Sequence, residues 1–155
     1  MNNYQKSLIR HILITLALTL AAVGTMINLK DLTNRSEAIR AMRILGGQLQ
    51  EYRKKNLSLP SETVLTKMKE NLPGSSRLGD FQYRAVWINY DSPNNEILAY
   101  AEKNYKSLFV KPGYIVLRLG GEIEWMKKKD FENLLQKQQS PKEFQFLNQQ
   151  IEKGL

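Results

Sequence analysis

Apolar positions change their spacing three times along the chain, and each change predicts a different element. From Ile12 to Leu29 the run ILITLALTLAAVGTMINL carries no charge. Its 18 residues at helical rise cover about 27 Å, close to the roughly 30 Å of a bilayer's hydrocarbon core. Leu8 and Ile9 prolong it, and Lys6 and Arg10 are placed to snorkel to headgroups. The polar members Thr15, Thr19, Thr25 and Asn28 can each bond backbone or sit near an interface. The expectation is an uncleaved anchor over residues 1–29, with Ile12, Leu16, Leu20, Val23 and Ile27 as its membrane residues. A secretory signal cut near Ala22-Val23-Gly24 is the competing reading. The length of the run and the helical pattern after it favour the anchor.

Beyond Leu29 the pattern becomes one-sided. Leu32, Ile39, Met42, Leu45, Leu49 and Tyr52 recur at spacings of three, four and seven, with charges elsewhere. This predicts one continuous helix from about Gln5 to Lys55, half in lipid and half out. Gly46-Gly47 lies inside it, at about 1 kcal/mol per Gly relative to Ala, which points to close packing against a sheet. Ser61 reads as an N-cap for a short helix to about Asn71, stopped by Leu72-Pro73-Gly74.

From Phe81 the period becomes two. FQYRAVWINY, EILAYAEK, YIVLRL and EIEWM read as strands. They are separated by turns at 91–95, at Lys111-Pro112-Gly113 and at Gly120-Gly121. A helix follows from about Lys128 through Leu135, and the tail after Pro141 is weakly amphipathic. Short turns make the strands antiparallel. The fold class is therefore α+β: a long N-terminal helix on a sheet of three to four strands, with a C-terminal helix and a main domain over 30–155.

Composition narrows the chemistry. The 155 residues contain no Cys and a single His, His11. Disulfides, thiolate metal sites, thiol nucleophiles and multi-His centres are excluded. Lys and Arg number 23 against 15 Asp and Glu, a net +8. Lys6 and Arg10 precede the apolar run, so residues 30–155 carry +6. Arg53-Lys54-Lys55 and Lys127-Lys128-Lys129 are basic runs suited to a polyanion or a membrane surface. Glu122 and Glu124, two apart on a strand, share a face and are the one carboxylate pair placed for acid–base work. A solvated outer face explains them more simply, and no glycine-rich phosphate loop is present. No catalytic residue, cofactor or metal site is expected. Trp87 and Trp125 are candidate aromatic interface anchors, alongside the outer helix stripe Leu45, Leu49 and Tyr52.

This order of elements resembles the type IV pilins and type II secretion pseudopilins. The junction LGGQLQEYRKKNLSLPS is similar to their helix end with Leu-x-x-Tyr and a short Leu-Pro loop. ILAYAEKNY and YIVLRLGGEIEWMKKKDFENLL resemble a pseudopilin strand, hairpin and C-terminal helix, with Leu117 to Trp125 standing in the hairpin. Residues 1–20 contain no Gly and no Glu, so the prepilin cleavage motif and its intramembrane carboxylate are missing. Gly120-Gly121-Glu122 replaces the family's Asp-Gly-His. The resemblance implies a non-catalytic structural or accessory subunit of a secretion- or pilus-type membrane assembly. It would be single-pass in a bacterial inner membrane, with its main domain periplasmic or extracellular. Its partners would be the membrane and other membrane-anchored subunits, as a hetero- or homo-oligomer, and no nucleic acid. A secreted or membrane-surface basic domain that binds a polyanion or anionic lipid is the alternative.

Overall fold

A computed structural model describes residues 2–105, 107 and 110–152. The first element, α1, is a single helix from Asn3 to Asn56. The first proline of the chain is Pro60, so nothing before it removes a backbone donor. The polar residues of the apolar run are satisfied by the helix itself. The Thr15, Thr19 and Thr25 hydroxyls donate to the carbonyls of His11, Thr15 and Ala21 at 2.8–2.9 Å. The Asn28 amide donates to Gly24 O at 2.7 Å. The helix stops at Leu57, whose φ of 51° is left-handed. Its N–H donates to Arg53 O at 3.0 Å. Arg53, Lys54 and Lys55 fill the last turn, where cations favour the negative end of the helix dipole.

The two halves of α1 have different surroundings. Leu16, Leu18, Leu20 and Met26 are 55–71% exposed. This half is long and apolar enough to cross a membrane. From Ala38 onward one face disappears into the domain: Ala38, Ala41, Met42, Leu45 and Leu49 are buried. The buried stripe is rotated slightly from the expected one. Leu32 stays exposed, and the small Ala38 and Ala41 face inward. Small side chains let a helix approach a sheet closely, which outweighs their weak hydrophobicity.

Ser61 caps α2 (Glu62–Glu70), its hydroxyl accepting from Val64 N at 3.5 Å. A short 3-10 turn at Ser75–Arg77 leads to the sheet. The four strands are β1 (Phe81–Tyr83), β2 (Ile97–Lys103), β3 (Gly113–Arg118) and β4 (Ile123–Lys127). They form one antiparallel meander in chain order. Ala99, Ala101, Ile115, Leu117 and Trp125 face α1. Tyr114, Val116 and Met126 face the other way and pack on Phe131 of α3 (Lys128–Gln138). The Tyr114 and Phe131 rings stack with centroids 3.9 Å apart. The sheet is thus covered by a helix on each face, in the α+β class expected.

Two expectations are corrected. The strand expected over 81–90 ends at Tyr83. Arg84 N still donates to Leu98 O at 2.8 Å, but Trp87 N turns back onto Arg84 O. The weakly amphipathic tail is in fact a helix, α4 (Pro141–Glu152). One contact joins the two segments. Arg84 is buried, and its guanidinium donates to both carboxylate oxygens of Glu143 at 2.7 and 2.9 Å. It also donates to Ile97 O at 2.7 Å and Gln138 O at 3.1 Å. A charged residue inside the expected strand instead ties the sheet to α4.

Candidate functional site

The structure distributes the expected interface residues over four places. Leu45 and Leu49 are 0% and 1% exposed, covered by the protein's own sheet. They are core residues, as a helix packed on the sheet requires, which corrects their place among the candidate interface residues. Tyr52 is half-buried and lines a wide cleft between α1 and α2 with Lys55, Val64 and Met68. Trp87 lies beyond the end of β1, its ring 5.6 Å from Phe146 of α4. It borders a cleft of about 490 Å³ with Leu59, Pro60, Tyr83 and Val86. The Tyr83 hydroxyl donates to Pro60 O at 3.0 Å. Burial, with Tyr52 nearby, pushes that phenol well above its usual range.

Trp125 belongs to a different neighbourhood, at the end of the sheet nearest the apolar half of α1. Lys103, Gly113 and Lys127 are register partners at that end. The Arg35 guanidinium of α1 lies 4.0 Å over the Trp125 ring. Tyr105 stacks against the same ring at 6.0 Å. Gly113 lies beneath it, where an added Cβ would meet the indole at 2.8 Å and collide with Met126 O. Asp31 accepts from Ser107 N at 3.0 Å, so the β2–β3 connection touches α1 just past Leu29. Burial pushes the Tyr105 phenol up to about 12, with Arg35 opposing and Asp31 adding to the rise. Lys103 is lowered by burial, partly offset by Asp80, and its ammonium donates to the carbonyls of Arg77 and Leu78. Arg35, Lys111 and Lys127 open onto one cleft of about 410 Å³, with Glu124 and Asp130 on its wall.

The two carboxylates of the expected pair are both exposed. Glu122 immediately precedes β4, and Glu124 is held by Arg118 at 2.8 Å. Among the described residues, no three His, Cys, Asp or Glu side chains group as metal ligands. Of the basic runs, Arg53 is consumed by the fold. It donates to Leu119 O at 3.0 Å and Tyr90 O at 2.6 Å, beside Gln50, which donates to Leu119 O at 2.6 Å. Lys127, Lys128 and Lys129 are exposed.

Sequence reasoning missed the Arg84–Glu143 clamp, although half of its signal was present. Ser140-Pro141-Lys142-Glu143 has the Ser-x-x-Glu spacing of a helix start, with proline in the first turn. Glu143 N does donate to Ser140 Oγ at 3.2 Å. Nothing local indicates that the Glu143 side chain turns to a partner 59 residues away. Comparison with protein-family models, curated proteins and solved structures finds no match to this chain.

Proposed function

We propose that the chain is a pseudopilin-like, non-catalytic structural or accessory subunit of a secretion- or pilus-type membrane assembly. It is anchored by the first half of α1 in a bacterial inner membrane, with the α+β domain on the periplasmic side. One observation carries this reading. A single unbroken helix is bare and apolar over one half and forms the central core element of an antiparallel sheet over the other. Such a helix is suited to join a domain to a bilayer without a hinge. Partners would be other anchored subunits, met through the apolar half. That half carries no carboxylate, so charge pairing within the bilayer is not the basis of assembly.

Intact-mass measurement on membrane and soluble fractions tests the anchor. A full-length mass in the membrane fraction, short of Met1 at most, is expected. A species beginning near Thr25 in the soluble fraction would overturn it. Photo-crosslinking from Leu20 in intact membranes tests the assembly. Adducts to a second copy or to another single-pass protein are expected, and a lone monomer at every anchor position contradicts that part.

A further inference from the structure

We propose that the end of the sheet nearest the apolar half of α1 is a seat for anionic phospholipid headgroups, held by Arg35, Lys111 and Lys127 in the cleft floored by Trp125. The inference rests on the anchor reading and adds a ligand class to it.

Height above the apolar run decides which cations reach the headgroups. Leu29 ends the apolar run, and the contact from Asp31 to Ser107 N lies two residues above it, about 3 Å along the axis. Arg35 is six residues above Leu29, about 9 Å. A headgroup layer is roughly 5–8 Å deep. The long side chains of Arg35, Lys111 and Lys127 therefore reach it, and β4 runs toward the bilayer from Trp125 to Lys127. The opposite basic run lies elsewhere. Arg53 is 24 residues above Leu29, about 36 Å, several Debye lengths from any lipid charge. Its guanidinium is also spent on Leu119 O and Tyr90 O.

The charge pattern selects the occupant. Glu124 and Asp130 share the cleft wall, and Glu124 is already engaged by Arg118. Three cations against two carboxylates leave the cleft lining only one net positive charge, too little by itself to hold a free multivalent anion. The cations continue outside the cleft to the exposed Lys128, Lys129 and Lys30. A spread of positive charge around the foot of an apolar helix complements a plane of headgroups better than a single ion. Trp125, amphipathic and pinned under Arg35, is the residue type that settles at a membrane interface.

The test uses the full-length protein with Trp87→Phe, which leaves Trp125 as its only indole. It is reconstituted in liposomes of phosphatidylcholine, with or without phosphatidylglycerol, each carrying a headgroup-nitroxide lipid. Trp125 quenching should rise with phosphatidylglycerol and fall back in about 0.5 M salt. Near-surface charges contribute about fivefold each, so Lys111→Gln with Lys127→Gln should raise the phosphatidylglycerol needed for half-maximal quenching by more than tenfold. Lys111→Arg with Lys127→Arg should restore it, separating charge from folding. Equal quenching in both lipids, or lipid-dependent quenching that the double Gln variant leaves intact, overturns the seat. Reversal by millimolar inorganic phosphate at constant ionic strength overturns it in favour of a free-anion site. Failure of the anchor reading looks different, because the protein would then not float with liposomes of phosphatidylcholine alone.

Discussion

The two halves of α1 share one backbone and have opposite surroundings. Both are regular helix, and both satisfy their polar groups internally or on the sheet. The first half is apolar around its whole circumference and buries almost nothing. The second presents a narrow stripe of Ala, Met and Leu to the sheet and turns Arg40, Arg43 and Lys54 outward. A helix apolar on all sides needs an apolar environment from outside, whereas a one-sided helix finds it in its own fold. The two glycines at the centre of the second half show the same division on a smaller scale. A Cβ on Gly46 would meet Leu117 Cδ1 at 2.9 Å, while Gly47 faces open space. The expected close approach to the sheet belongs to Gly46 alone.

This contrast can be broken in several ways, from the largest effect downward. Glu143→Ala leaves the buried Arg84 guanidinium without its carboxylate and should destabilise the domain by about 3–5 kcal/mol. The first half of α1 should stay helical in the same detergent sample, as read by chemical denaturation against residue-specific hydrogen exchange. Leu45→Ala should remove about 2–5 kcal/mol from domain stability. Leu16→Ala, on the bare half, should leave the domain's denaturation midpoint unmoved, and a comparable shift from both would dissolve the distinction. The converse substitution is Leu20→Arg, which should cost roughly 2.5–3.5 kcal/mol on insertion and deplete the membrane fraction. The solubilised domain should keep its thermal transition, and normal membrane recovery would contradict the anchor.

Alkaline pH separates the halves without a mutation. Tyr83, Tyr100, Tyr105 and Tyr114 all belong to the domain and are raised above the usual 10.0, chiefly by burial. The unfolded chain loses these phenolic protons first. Stability from these tyrosines is therefore complete below pH 10 and is lost as pH rises toward 12 and beyond. Near-ultraviolet dichroism should fade in that window while far-ultraviolet helix signal from the apolar half persists. The smallest effect is a gain. Gly47→Ala should stabilise the domain by up to about 1 kcal/mol through helix propensity. Gly46→Ala should fall short of that gain, because Leu117 must move.

Much of this architecture is legible in the residues, for physical reasons that differ by element. β2 and β3 are short, largely buried apolar runs bounded by strong turn chemistry, and β4 follows the Gly120-Gly121 turn, so pattern places all three. Ser61 declares α2 by its own hydroxyl. Failures occur where a long-range contact overrides a local rule. Arg84 interrupts an alternating run because its partners are a carboxylate and two carbonyls from distant segments. Leu45 and Leu49 read both as sheet cover and as candidate interface, because periodicity reveals an apolar stripe and not the neighbour that covers it. The cleft beside Trp125 is assembled from Arg35, Lys111 and Lys127. They lie on three elements, so only the basic run at its edge can be found in the sequence.

The continuity of α1 also has a mechanical consequence. Its 54 residues form a shaft about 80 Å long, and the sheet is clasped to the upper part from Ala38 to Arg53. With no swivel between shaft and sheet, a lean of about 20° would carry the far end sideways by roughly 27 Å. A twist of the lower part about its long axis would turn the sheet through the same angle. Anything that grips the apolar half would therefore steer the domain as a rudder is steered by its stock, and a load applied to the sheet would return to the apolar half as torque.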